Sequence, residues 1–386
     1  MSDAHDLHDE LTDLALAGRG WPAMVTRLAA ASGGPVRLIG VHGSCLAAAP
    51  LGDAAGLEPA TVARLGDSDR AEPVTCLDGW EATAIGLRAG RRRIGVLAIA
   101  PRPGADTLGL LEAARVPLSI EAVRRDAQAA ARAETASRII DEVRFGLMRE
   151  PAEFARLAER FGLVLDRPHT AAVFAYDGPN RHAWHTALTW IEMPVRIDDS
   201  RGWTILPAGT RDLSRIRARL QGMVGNDAPV HAACGSVVGN ATDTARSFFE
   251  AEATLALLRR RGTDAVELHF CALGVEGLLL SVPRDRLRAF VGAQLGPILD
   301  RDDLLDTLVV WLETNGSRAA VAQRLLIHRN SVGYRMGKVR ELLGIDPVEP
   351  AAALQVQAAL AARDVLAVLD EMHAQRRGAL VDPRSE

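Results

Sequence analysis

Lysine is almost missing from this chain of 386 residues: it occurs once, at Lys338, and arginine carries nearly all the positive charge. With the excess of alanine, this reads as the composition of a GC-rich genome rather than as a mechanism. Cysteine is scarce as well. Cys45, Cys76, Cys234 and Cys271 stand far apart and form no CxxC pair, which argues against a zinc ribbon, a CxxC redox motif or a disulfide framework and fits a reducing compartment. No long uninterrupted apolar run occurs: VELHFCALGVEGLLLSV is broken by Glu267, His269 and Glu276. The opening residues, MSDAHDLHDELTD, are acidic where a secretory leader would be basic. The expectation is a soluble cytoplasmic protein without membrane contact. A net charge of -4 excludes a surface that attracts polyanions as a whole, so any contact with phosphates must come from a concentrated patch.

Such a patch is present near the end of the chain. From Arg318 to Arg340 the charged residues are Arg318, Arg324, Arg329, Arg335, Lys338 and Arg340, and the nearest acids, Glu313 and Glu341, lie just outside. The same stretch has helical punctuation. Leu304, Leu305, Leu308, Val309 and Leu312 share a face of one helix that Asn315-Gly316 ends. Ser317 can cap a short helix to about Leu325. After a bend through Leu326 and Ile327, His328 can cap a further helix that runs to Leu343 and stops at Gly344, with Pro347 just beyond. A last helix spans Ala351 to Leu369.

Two short helices joined by a tight turn make a helix-turn-helix, whose second helix enters the DNA major groove by its N-terminal end. Val321, Ala322 and Leu325 would pack the first helix, Ile327 the turn, and Val332, Met336, Val339 and Leu343 the second. Arg329, Asn330, Gly333, Tyr334 and Lys338 are left outward, with Ser331 and Arg335 at the margin, and Ser317, Arg318 and His328 stand at the helix starts. These are the expected DNA-binding residues. Arg offers two donors to guanine, Asn pairs both ways with adenine, and Ser, Tyr and Lys hold phosphates, while Gly333 lets the backbone approach the groove floor. Six cations without an internal acid predict affinity that falls steeply with salt. A solvated basic face on an ordinary helical bundle is the competing reading, and Leu326 stands where many such turns have glycine.

Upstream, residues 11–30 carry a helical apolar rhythm. Two strand pairs follow, PVRLIGVHGSCLAAAP bent at Gly43 and WEATAIGLRAGRRRIGVLAIA bent at Gly90. That order suits a small α+β sensory domain of the GAF or PAS kind. From Leu118 to about Arg149 a long alanine-rich helix is expected, its narrow stripe suited either to pairing subunits or to packing on its own domain. Then HTAAVFAYD, RGWTILPAG, APVHAACGS and AVELHF read as strands among helices, an α+β or mixed α/β domain.

The run DTLVVWLETNGSRAAVAQRLLIHRNSVGYRMGKVRELLGIDP resembles the C-terminal helix-turn-helix of the PucR/CdaR group of bacterial transcription regulators, with Ser331 where Thr is more usual. The likeness is specific over about 302–370. It extends loosely through ACGSVVGNATDTARSFFEAEATLALLRRRG, which looks like the segment preceding that motif in the group, a domain resembling GGDEF domains in fold. The resemblance implies a multidomain α+β regulator. Its parts would be a GAF/PAS-like effector-sensing domain at 1–117, a linker or dimerisation helix at 118–150, a GGDEF-like α/β domain without catalytic motif at 151–290, an all-α helix-turn-helix domain at 300–372 and a flexible tail at 373–386. The expected partners are double-stranded DNA, a small-molecule effector whose pocket is not legible, and further copies of the chain as a homodimer or higher homo-oligomer.

No catalysis, metal or cofactor is expected. A working cyclase would need a GG[DE]EF turn, and at ACGSVVGN, taken as the equivalent, no carboxylate stands. Gly18, Gly20 and Ala23 spell GxGxxA without a preceding strand, and Gly337-Lys338 lacks the upstream glycine of a P-loop. His182 and His185 lack a third metal ligand, Ser44 lacks the second glycine of a nucleophile elbow, and His42 and Cys45 read as structural. The alternatives are a nucleotide-processing enzyme acting through the middle domain, or a scaffold whose basic helix binds an acidic protein.

Overall fold

A computed structural model of the chain describes residues 2–381 except 53, 101–105, 210, 211 and 263. The described residues divide after Arg132 into two units. The first opens with α1 (Ser2–Leu16) and α2 (Gly20–Ser32). The rhythm over 11–30 predicts a single helix; Gly18 and Gly20 take left-handed φ values of +67° and +80° and break it into two.

Next come β1 (Val36–Gly40), β2 (Cys45–Ala49), α3 (Pro59–Asp67), β3 (Glu72–Thr75), β4 (Glu81–Ala89) and β5 (Arg92–Ile99). The strands form one antiparallel sheet in the order β2-β1-β5-β4-β3. Alternation along them sends Leu38, Ile85, Leu87, Leu97 and Ile99 toward α1 and α2, and Ile39, Ala84, Val96 and Ala98 toward α3. On the α3 side a Cβ at Gly86 would stand 2.2 Å from the Leu65 carbonyl oxygen, so only glycine allows α3 to lie this close.

The helix expected over 118–150 is α4, which runs Thr107–Arg144 and ends before Gly146, whose φ is +67°. The expectation started after Pro117 because proline removes a helix donor. Here Pro117 sits inside the helix, and His8 Nδ1 stands 3.0 Å from the carbonyl oxygen of Ala113, the group proline leaves without its partner. A carbonyl only accepts, so Nδ1 carries the proton. The early turns of α4 supply Leu111, Ala114 and Leu118 to the core of the first unit, and its last turns supply Ile139, Ile140 and Val143 to the second. The expected limits 1–117 and 118–150 therefore do not coincide with the observed division.

The second unit continues with α5 (Pro151–Glu159), β6 (His169–Tyr176), α6 (Arg181–Thr189), β7 (Arg196–Ile197), β8 (Arg201–Pro207), α7 (Asp212–Val224), β9 (Val230–Cys234), α8 (Ala241–Arg260) and β10 (Glu267–His269). Its sheet has the order β10-β9-β6-β8-β7, with β10 parallel to β9 and the other neighbours antiparallel. The four expected strands are present. β7 was not foreseen, since two residues make no pattern. Central β6 turns Ala171, Val173 and Ala175 toward α8, and Phe174 and Tyr176 toward α6 and α7.

A 3-10 turn at Phe270–Ala272 leads to α9 (Val275–Leu279), α10 (Arg284–Leu295), α11 (Asp302–Glu313), α12 (Arg318–Arg324), α13 (Arg329–Leu343) and α14 (Pro350–Val381). Leu280, Leu287, Val291 and Leu295 share one core with Leu308, Val321, Met336 and Val365. The expected middle domain, 151–290, thus gives up its last part. At steps of four, Leu287, Val291 and Leu295 put one face of α10 into the helical body rather than onto the sheet. By length and composition α14 could cross a membrane, yet Val356, Ala359, Ala362, Val365 and Val368 are completely buried in that core. The helix continues past 372, so the tail expected at 373–386 is helical through Val381, and 382–386 lie outside the described residues.

Candidate nucleic-acid interface

Local chemistry sets the ends of the two short helices. After α11, Asn315 and Gly316 take φ values of +49° and +77°, and the Gly316 N–H donates to the Trp311 carbonyl at 2.8 Å. Ser317 Oγ accepts from the Ala320 N–H at 3.3 Å and starts α12; His328 Nδ1 accepts from the Asn330 N–H at 3.2 Å and starts α13. Accepting at Nδ1 makes Nε2 the donor of the neutral ring. Gly344, with φ +67°, closes α13. Between the helices Leu326 occupies the left-handed region at φ +54°, the backbone that glycine takes without strain, and its side chain is 91% exposed.

Val321, Val332, Met336 and Val339 are fully buried, and Ala322, Leu325, Ile327 and Leu343 pack against the same core. This anchors one side of α13 and turns the other to solvent. Ser317, Arg318, His328, Arg329, Asn330, Ser331 and Tyr334 are exposed, while Gly333, Arg335 and Lys338 are half-buried. A Cβ at Gly333 would meet nothing within 4 Å, so the fold itself does not require glycine there. Gly337, four residues on and not singled out from the sequence, is equally open.

The charge pattern differs from the expectation of six cations without acids. Arg324 pairs with Glu313 at 2.8 Å, Lys338 with Glu341 at 2.7 Å and Arg340 with Asp346 at 2.8 Å. Arg335 lies 3.5 Å from Asp303, with Thr307 Oγ1 and the Asp303 carbonyl each at 3.4 Å. The Arg340 guanidinium beside Asp346 holds that carboxyl below the usual range. Among the described residues no ion pair involves Arg318 or Arg329. Glu313 and Glu341 flank the stretch in sequence, whereas Asp303 and Asp346 were hidden from a linear reading because α11 and the turn after α13 bring them back to the basic helix. The uncompensated charge therefore collects at the starts of α12 and α13.

The middle domain also corrects an expectation. ACGSVVGN is no hairpin turn; it joins β9 to α8. Its Ser236 N–H donates to buried Glu250 at 2.8 Å, and Ser247 Oγ donates to the Ser236 carbonyl at 2.7 Å and accepts from the Ala171 N–H at 2.9 Å. A Cβ at Gly235 would stand 2.0 Å from the Ser247 carbonyl oxygen. The stretch is a close joint between sheet and helix. Beside it burial pushes the His169 imidazole down from its usual pKa, and its Nε2 meets Thr244 Oγ1 at 2.8 Å. The sheet's own hairpin joins β7 to β8 through Asp198, Asp199 and Ser200, so carboxylates do stand at a turn of this sheet. Among the described residues no three His, Cys, Asp or Glu side chains are grouped to hold a metal ion. His182 and His185 are exposed on α6.

Comparison with known proteins places both segments. The family described as PucR C-terminal helix-turn-helix domain matches residues 304–362, and the family described as GGDEF-like domain matches 145–257. The purine catabolism regulatory protein of Bacillus subtilis (strain 168) is 34% identical over 104 residues, 26% of this chain and 19% of that protein. A protein from Thermomonospora curvata, described as uncharacterized and lying in the pkwA 5′ region, is 38% identical over 80 residues, 20% of this chain and 44% of its own. The matched stretches thus span less than half of either relative. A crystal structure of a regulator of polyketide synthase expression from Bifidobacterium adolescentis aligns over 59% of this chain and 92% of that one, at 17% identity and a TM-score of 0.31. As the resemblance of the IHRNSVGYR run and of the ACGSVVGNATDTARSFFEAEATLALLRRRG stretch implied, the chain carries a GGDEF-like domain followed by a PucR C-terminal helix-turn-helix domain.

Proposed function

We propose that this chain is a cytoplasmic transcriptional regulator that lays the first turn of α13 in the major groove of double-stranded DNA. One observation carries the reading: directly behind the His328 cap, Arg329, Asn330 and Ser331 all face solvent, and Arg329 has no ion pair among the described residues. Arg329 and Asn330 read base edges; Ser317, Arg318, His328, Ser331 and Tyr334 hold phosphates. Arg335 and Lys338 serve mainly to brace the helix. Gly333 gives the backbone room to approach the groove floor. The regulatory name of the Bacillus relative supports this reading.

The first unit, an antiparallel sheet with helices on both faces, acts as a GAF/PAS-like sensor of a small-molecule effector. Two copies pair through α4. Leu108, Val116 and Val123 are 56%, 54% and 51% exposed on one side of it, opposite buried Leu111, Ala114 and Leu118. A dimer sets two reading helices on half-sites about 34 Å apart. To test the reading, the full chain is immobilised and challenged with sheared genomic DNA at about 0.1 M salt, where electrostatic contacts still count. Retained fragments sharing a paired motif are expected; retention of none, or of fragments without a common sequence, rejects it.

A further inference from the structure

The separation of the cysteines along the chain hides a contact made by the second sheet. In the parallel pair β9–β10 Cys234 lies opposite His269, and Cys271 follows two residues later on the 3-10 turn. Cys234 Sγ is 2.9 Å from His269 Nδ1. On the other side of the ring, Nε2 stands 3.4 Å from Glu267 Oε1, and that oxygen accepts from Ser214 Oγ at 2.6 Å. Cys234 is buried and Cys271 is exposed. Burial first, and then the nearby Cys271 and Glu267, push the Cys234 thiol up to about 11. Left alone it stays protonated, with the imidazole Nδ1 within reach of its proton.

We infer that Cys271 and Cys234 form a reversible disulfide site responsive to hydroperoxides, with His269 as the base that activates Cys234. The exposed Cys271 thiolate attacks a peroxide oxygen. The O–O bond breaks, the departing hydroxide or alkoxide takes a proton, and Cys271 becomes a sulfenic acid. Cys234 then gives its proton to His269 Nδ1 and attacks the Cys271 sulfur. The S–O bond breaks, and the hydroxyl leaves as water with the proton from the imidazolium. Two thiols are oxidised and one peroxide is reduced, so the electrons balance. Glu267 steadies the imidazolium between the two transfers. Each residue thus has a part suited to its surroundings: the accessible thiol meets the oxidant, and the buried one needs a base.

The bond has a route to the reader. Phe270 and Leu273, on either side of Cys271, pack into the core that also holds Val332 and Met336 of α13. Tying Cys271 to β9 constrains the 3-10 turn and with it that core. This coupling rests on the reading of α13 given above; the disulfide site does not.

The experiment treats the full chain with hydrogen peroxide, blocks the remaining thiols and maps the peptides by mass. A linked Cys234–Cys271 peptide is expected, abolished by dithiothreitol and absent from Cys271→Ser, whose exposed site leaves thermal unfolding unchanged. In His269→Gln a dimedone adduct should accumulate at Cys271, and closure should slow by about tenfold or more. No linked peptide in the wild type, or wild-type closure in His269→Gln, overturns the site. Oxidised wild type should differ from reduced in DNA affinity by about fivefold or more, with no change in Cys271→Ser; equal affinities overturn the coupling. A reduced chain that binds no DNA would sink the reading of α13 instead, and the peptide map would still decide the disulfide.

Discussion

In the first turn of α13 Arg329, Asn330 and Ser331 stand exposed, whereas in its later turns Arg335, Lys338 and Arg340 each lie against a carboxylate of this same chain. The residue types are alike, but their electrostatic settings are not. A cation already facing an acid releases few counterions when it meets phosphate, and its side chain is committed to holding the helix. A free arginine at a helix start can spend both donors on a base. The difference teaches that the local count of positive charge overstates the uncompensated surface, while the helix caps mark where the unpaired arginines among the described residues stand. Exposed ion pairs are individually weak, about 0 to 1 kcal/mol, so the later turns are restrained rather than locked.

The comparison breaks altogether if the common support of both ends is removed. Met336 is buried under α13, and Met336→Ala should cost about 2 to 5 kcal/mol in urea unfolding and abolish DNA retention at either kind of site. Unchanged stability would mean that the apolar spine does not hold the reader. A smaller effect separates the ends. Arg329→Ala or Asn330→Ala should lose about 1 to 3 kcal/mol on a selected site while keeping the fold, whereas Arg335→Ala or Lys338→Ala should shift binding by under about 0.5 kcal/mol on any sequence. Equal losses from the two groups would erase the distinction. The smallest effect is one of slope: with Arg329 on a base and Arg318 left to phosphate, log affinity against log salt is predicted near about −1 for one head, against about −5 if all six cations engage phosphates. Titration of one head on a half-site measures it, and Asp303→Asn, which releases Arg335, should steepen the slope by about 1.

Local punctuation made much of the reader legible. Ser317, His328 and Gly344 act within three or four residues of themselves, and the caps they predict are those found. Steps of three and four likewise mark Val332, Met336 and Val339 as core, since burial follows helical phase. Other features had no local signal. Pro117 argues against a continuous helix until His8, on a different helix, is seen beside the orphaned carbonyl of Ala113. Asp303 reaches Arg335 only because α11 folds across α13. Nothing in the order of residues ties Cys234 to His269; a parallel strand pair, registered over intervening chain, does so.

The sequence by itself determined the helices of the reader, their caps, the buried stripe and the family resemblance, because these depend on periodicity and short-range hydrogen bonds. Only the tertiary structure decided which arginines stay free, where α9 and α10 belong, and which thiol meets which histidine. Those outcomes depend on charges and side chains that approach through space, and the distance between them is set by how layers pack, a quantity that spacing along the chain does not contain.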